Sequence, residues 1–108
     1  MFVQDDGLNF KKGLTTNYTA VRVPTVAADL TTVNAEIKYM YLTNTTASSI
    51  TVTIVDKGTT ARYFLKTTPI VPYDVLVFEG VWYASGGINW VSSADGIDAQ
   101  YDIRIVGG

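Results

Sequence analysis

The sequence predicts an all-β protein: an antiparallel β-sandwich, jelly-roll-like, with about eight strands. Three observations predict it. Thr, Val, Ile and Tyr recur throughout, and β-branched and aromatic side chains suit a half-buried pleated surface. Short runs alternate apolar with polar residues, the period of a strand with one dry and one wet face. Turn-forming residues punctuate these runs every ~8–12 residues, with no long helical pattern between them.

The strands are expected at 17–26, 37–44, 50–55, 61–67, 75–79, 81–84, 87–93 and 99–106. Ile50, Val52 and Ile54 share one face of their run, with Thr51 and Thr53 on the other. Tyr101, Ile103 and Ile105 alternate with Gln100, Asp102 and Arg104. Tyr63 and Leu65 oppose Arg62, Phe64 and Lys66; Leu76 pairs in parity with Phe78, and Ile88 with Trp90. The segment 26–36 reads as a long connection, because Thr31, Thr32 and Val33 dilute the one helical turn that Ala27–Leu30 could form. Asn44–Ser49, Asp56-Lys57-Gly58, the bend between Pro69 and Pro72, Gly86-Gly87 and Asp95-Gly96 supply the turns. The expected core is Met40, Leu42, Ile50, Val52, Ile54, Tyr63, Leu65, Leu76, Phe78, Ile88, Trp90, Tyr101, Ile103 and Ile105.

At 108 residues the chain has room for one domain, 1–108. Residues 1–14 stand apart as an N-terminal arm. Phe2, Val3, Leu8, Phe10 and Leu14 lack a strand period there and are spaced by Gly7 and Gly13. Extended, such an arm spans ~45 Å.

Composition narrows the chemistry. Charged residues make up only 17% of the chain and the net charge is −2. No basic excess is available to neutralise a phosphate backbone, so nucleic acid is not an expected partner. Cysteine and histidine are both absent. The usual thiolate nucleophile, general base and transition-metal ligands go with them. The opening Met1–Asp6 has no basic stretch and no apolar run, so no secretory signal is expected. No apolar run approaches the ~20 residues of a membrane helix.

Carboxylates are the remaining acid–base candidates. Most sit beside turns, where Asp is favoured by bonds to its own backbone, and nothing fixes a facing pair. Asp95-Gly96-Ile97-Asp98 offers two carboxylates where calcium wants six or more oxygens. Asn17-Tyr18-Thr19 and Asn44-Thr45-Thr46 match the glycosylation pattern, and Gly86-Gly87 lacks the Lys-Ser/Thr of a phosphate loop. No catalytic residue, cofactor or metal is expected.

Aromatic residues carry more information. If Met40 and Leu42 point inward, Tyr39 and Tyr41 point outward. Two tyrosines on an exposed sheet face suit a protein interface or a sugar platform. The expected interface residues are Phe2, Val3, Leu8, Phe10, Tyr39, Tyr41, Phe64 and Trp82. Trp82 and Tyr83 would join Tyr39 and Tyr41 in a sugar platform.

Residues 37–106 also carry a recognisable strand grammar. One strand ends in Leu42-Thr43-Asn44-Thr45. The Val/Thr strand Ile50–Ile54 follows, then Arg62-Tyr63-Phe64-Leu65-Lys66, Pro69-Ile70, Val75–Gly80 and the turn Gly86-Gly87-Ile88. This succession resembles small all-β structural proteins of tailed bacteriophage virions. The resemblance implies a non-enzymatic capsid decoration or cement protein, made in the host cytoplasm and seated on the capsid surface. Its expected partners are the major capsid protein, or another virion protein, and further copies of itself. The alternative is a carbohydrate-binding or tail- or fibre-associated β-sandwich module of a virion.

Overall fold

A computed structural model describes residues 17–58 and 62–106. Eight strands run through them: β1 (Asn17–Arg22), β2 (Ala28–Thr31), β3 (Ala35–Asn44), β4 (Ile50–Asp56), β5 (Arg62–Ile70), β6 (Val75–Ala84), β7 (Ile88–Ser92) and β8 (Ile97–Ile105). They form two four-stranded antiparallel sheets, ordered β1-β8-β3-β6 and β2-β7-β4-β5. This is the strand order of an eight-stranded jelly roll, the architecture the alternation and turn spacing predict.

The core lies between the sheets. On β4, Ile50, Val52 and Ile54 point in; on β7, Ile88 and Trp90 do. Opposite them, β3 contributes Ala35, Ile37, Met40 and Leu42, and β8 contributes Ile97, Ala99 and Ile103. The parity of β3 slips between Ile37 and Tyr39, where Lys38 is an extra residue against β8. The bulge lets both Ile37 and Met40 face inward. Trp90 meets Tyr101 edge-to-face across the two sheets, ring centroids 6.1 Å apart.

Four sequence expectations need correction. The connection 26–36 contains a short strand, β2, and the start of β3. Apolar alternation hides β2 because Ala28 and Asp29 are both exposed; it is held by pairing with β7, and Asp29 bonds Lys57 and Asn89. The runs 75–79 and 81–84 are one strand, continuous through Gly80 at φ 113°. Tyr63 is exposed, because Phe64 is an extra residue against β4 and takes the inward direction with Leu65. Ile105 is also exposed, at the last β3–β8 pair opposite Ala35. Leu65, Leu76, Phe78 and Tyr101 pack against the core but are only partly buried.

Two polar devices fix the ends of the sandwich. At one end the β1–β2, β3–β4, β5–β6 and β7–β8 connections gather. The Asn44 N–H donates to the Asp74 carbonyl, Thr45 N–H to Gly96, and Ser92 N–H to Pro24. The fully buried Asn44 side chain donates to the Ser48 and Ile70 carbonyls and accepts from Thr46. Its amide nitrogen is thus enclosed, which removes Asn44 as a glycan acceptor. At the other end the buried Asp56 carboxylate accepts from the backbone N–H of Gly58 at 2.9 Å and of Ser85 at 3.2 Å, and from Arg62 at 2.8 Å. Ser85 follows β6 and Asp56 ends β4, so this carboxylate ties one sheet to the other. Burial pushes the Asp56 carboxyl up, but Arg62 and the two N–H groups outweigh it and hold it below the usual carboxylate range.

Candidate functional site

The strongest surface feature begins with the edges. In each sheet the strand furthest from β1 or β2 is an edge: β6 in one, β5 in the other. These two edges are consecutive in sequence and form one flank of the sandwich. Nine large hydrophobic side chains are exposed among the described residues, and seven belong to this flank: Tyr63, Val71, Tyr73, Val75, Val77, Trp82 and Tyr83. Val26 and Ile105 are the other two. Scattered apolar residues on a surface are ordinary; here they concentrate along two neighbouring edges, with Val75 and Val77 on the outer face of one sheet and Tyr63 on that of the other.

Trp82 organises the middle of the flank. Its ring meets Phe64 of β5 and Phe78 of β6 edge-to-face, each at 5.6 Å between centroids. Phe64 and Phe78 pack against the core, while Trp82 stays 37% exposed. The cluster therefore spans the gap between the sheets and leaves part of the indole exposed. On the outer face of β5 the Lys66 ammonium lies 4.9 Å from the Tyr63 ring centroid, and Arg62 donates to the Tyr83 carbonyl.

At one end of the flank the chain turns tightly from β5 to β6. The Asp74 N–H donates to the Val71 carbonyl at 3.1 Å, closing a turn with Pro72 second and Tyr73 third. Proline fixes a negative φ at its position, and Tyr73 has φ 59°. That combination is a type II turn, whose third position favours glycine. A tyrosine 72% exposed occupies it instead.

Tyr39 and Tyr41 lie around the corner, on the outer face of the β1-β8-β3-β6 sheet, as the parity argument expects. Both are half-buried, with their rings edge-to-face at 5.3 Å. Burial, then the nearby Asp102 and Tyr41, raise the Tyr39 hydroxyl above its ordinary range. Tyr41 pairs across the strands with Val77, and Tyr39 with Glu79. Tyr41 therefore extends the apolar flank onto the sheet face through Val77.

Of the expected interface residues, Phe64 and Trp82 come together on the flank, and Tyr39 and Tyr41 sit beside it. Phe2, Val3, Leu8 and Phe10 lie outside the described residues. Sequence reasoning passed over Val71, Tyr73, Val75 and Val77. The signal for Tyr73 was present: Pro72-Tyr73-Asp74 between two strands is a tight turn, and tight turns place side chains in solvent.

Charge is largely paired away from this surface. Arg22 bonds both Asp95 and Asp98, which accounts for the two carboxylates that hinted at a cation loop. These partners, Asp98 first, raise the Arg22 guanidinium further above its ordinary value. Lys57 and Asn89 hold the Asp29 carboxyl below its usual range, and Arg104 bonds Glu36. Among the described residues no group of three or more acidic, His or Cys side chains is placed to hold a metal ion. No helix among them is long and apolar enough to cross a membrane. No protein-family model, curated protein or solved structure matches the chain.

Proposed function

We propose that this chain is a non-enzymatic structural protein of a virion, which decorates the assembled capsid shell and docks on it through the β5–β6 flank. The observation that carries the reading is the concentration of exposed Tyr, Trp and Val on two consecutive edge strands, in a chain with little charge to keep surfaces apart. The jelly roll adds modest support, since capsid and lectin domains share it and fold alone does not assign function. Docking would act by mass action: a ligand with higher affinity for the closed shell than for its free subunits stabilises the shell by that difference.

The test is to raise an antibody against the chain and locate it on intact particles by electron microscopy. Regular labelling of the head supports the proposal. Labelling of the tail alone, or none on particles that package normally, overturns it. A glycan array run in parallel addresses the carbohydrate reading. Binding there that is lost in Trp82→Ala, without any particle labelling, would replace the shell by a sugar as the ligand.

A further inference from the structure

We infer that β6 pairs, edge to edge and antiparallel, with β6 of a second copy, in a register centred on Val77. The inference rests on the reading of the β5–β6 flank as a protein interface and names one occupant for part of it.

The four edge strands differ in how they are protected. β2 is short, and β1 and β2 each have a shift in register with the described strand they pair with. β5 is interrupted twice, at Phe64 and again near Thr67, which has φ 46° and donates its N–H to the Thr53 hydroxyl. β5 also carries Lys66 and Pro69. Bulges, proline and lysine are the devices that stop an edge from accepting another strand. β6 lacks them over Val75–Glu79, where its pairing with β3 is regular.

The free groups of that window follow from the ladder. Asn44 N–H donates to the Asp74 carbonyl, so Asn44 and Asp74 form a hydrogen-bonded pair. Such pairs recur at every second residue of an antiparallel ladder. Leu76 and Phe78, paired with Leu42 and Met40, therefore turn their backbone groups toward β3. Val75, Val77 and Glu79 turn theirs away from it, and no described strand lies beyond them. The Val75 N–H is capped by its neighbour, the Asp74 carboxylate, at 2.8 Å. At the other end Gly80, at φ 113°, breaks the window.

A twofold axis at Val77 matches this pattern to itself. The Val77 N–H of each copy meets the Val77 carbonyl of the other, and each Glu79 N–H meets a Val75 carbonyl. The capped Val75 N–H is left with its own Asp74. On the outer face the pairing makes an apolar row, Tyr41 and Val77 of one copy followed by Val77 and Tyr41 of the next. On the inner face Leu76 opposes Phe78, and both have surface left to cover. Each Glu79 opposes Val75. The two Glu79 residues then lie four positions apart, roughly 13 Å along the strand, beyond the Debye length of ~8 Å at physiological salt.

One strand pair covers far less than the ~800 Å² per partner of a stable complex. The contact is therefore weak in free solution. It becomes populated where copies are held close together, as on a repetitive surface, because tethering raises their effective concentration.

The native chain has no cysteine, so single cysteines report the register cleanly. In the antiparallel hydrogen-bonded geometry the two Val77 Cα atoms lie ~5.5 Å apart, inside the ~4.4–6.8 Å range of a disulfide. Val77→Cys at high protein concentration under mild oxidation is expected to give a covalent dimer. Val75→Cys and Glu79→Cys are each expected to stay monomeric alone and to cross-link when mixed. Val77→Lys, a change at a half-exposed side chain, is expected to weaken association at least tenfold by sedimentation equilibrium, with an unchanged melting temperature. A strictly monomeric wild type near 1 mM overturns the inference, as does equal cross-linking at all three positions. So does loss of the Val77→Cys dimer on deleting residues 1–14. If cross-linking follows the register but particles carry no label, the virion reading fails and this contact stands. If particles are labelled and no dimer forms, the reverse holds.

Discussion

Tyr73 gives the clearest test of the physical reasoning, because its backbone and its side chain make opposite demands. At φ 59° it sits in the left-handed region, where a residue with a Cβ loses about 1–2 kcal/mol to steric crowding. Glycine escapes that cost but gives up about 0.5–1 kcal/mol of extra entropy on folding. Replacing Tyr73 also removes whatever contacts its buried 28% provides, the complement of its 72% exposure. Comparing Tyr73→Ala with Tyr73→Gly cancels that loss, since both truncate the ring. The remaining difference favours glycine by about 0.5–1 kcal/mol, the reverse of the order expected in an ordinary strand. Tyr73→Val, with its branched Cβ, should be the least stable of the three. Urea unfolding at fixed m-value measures the free energies directly, and thermal melts should separate the glycine and alanine variants by several degrees, at ~4–8 °C per kcal/mol. If alanine equals or exceeds glycine, the left-handed turn is not the conformation in solution.

Asp56→Ala should destabilise strongly, leaving the Gly58 and Ser85 N–H groups unpaired at about 1–3 kcal/mol each. The same carboxylate sets an acid limb. Its folded pKa is depressed, so its contribution is complete above the unfolded value near ~3.9 and fades as pH falls through the folded value. Stability followed from pH 7 down to pH 2 should therefore drop below about pH 4, and Asp56→Asn should flatten that drop. Gly86→Ala should fail to reach wild-type stability, because an added Cβ would lie 2.7 Å from the Gly58 Cα; a neutral melting temperature would contradict the close approach. Ile54→Ala should cost about 2–5 kcal/mol, since Ile54 is fully buried. Ile105→Ala should cost under about 1 kcal/mol, and equal losses at the two sites would mean that the inward face of β8 is assigned wrongly.

Where strands keep a strict two-residue period, the sequence was a reliable guide. On β4 and β7 every second residue is buried, and Ile50, Val52, Ile54, Ile88 and Trp90 could be read directly. Bulges defeated the period elsewhere. Lys38 resets β3, Phe64 and Thr67 reset β5, and Gly80 bends β6, so the two-residue period does not show that Tyr63 is exposed or that β6 is one strand. The strand β2 was hidden for another reason: four residues with two exposed make no pattern, and only its pairing with β7 defines it. For the candidate site, aromatic content drew attention to Trp82 and Phe64. Their approach depends on two edge strands from different sheets lying side by side, a tertiary fact that no local window contains. Val75 and Val77 follow from the same parity as Leu76 and Phe78: with those two turned inward the valines face outward, but nothing local shows that no described strand lies beyond β6.

The two last strands in sequence, β7 and β8, take interior places, one in each sheet. Among the described strands, β1 bonds only to β8, and β2 only to β7. During synthesis, then, neither β1 nor β2 has its described ladder to join until most of the chain has left the ribosome. Asn17 must wait for Tyr101. Of the described pairs, β3–β6 and β4–β5 can form earlier, as half-sheets with their inner edges bare. Chain order thus makes folding nearly all-or-none and slow for its size, in the milliseconds-to-seconds range of proteins dominated by distant contacts. A ribosome stalled before β7 would hold a chain whose exposed ladders are open to aggregation.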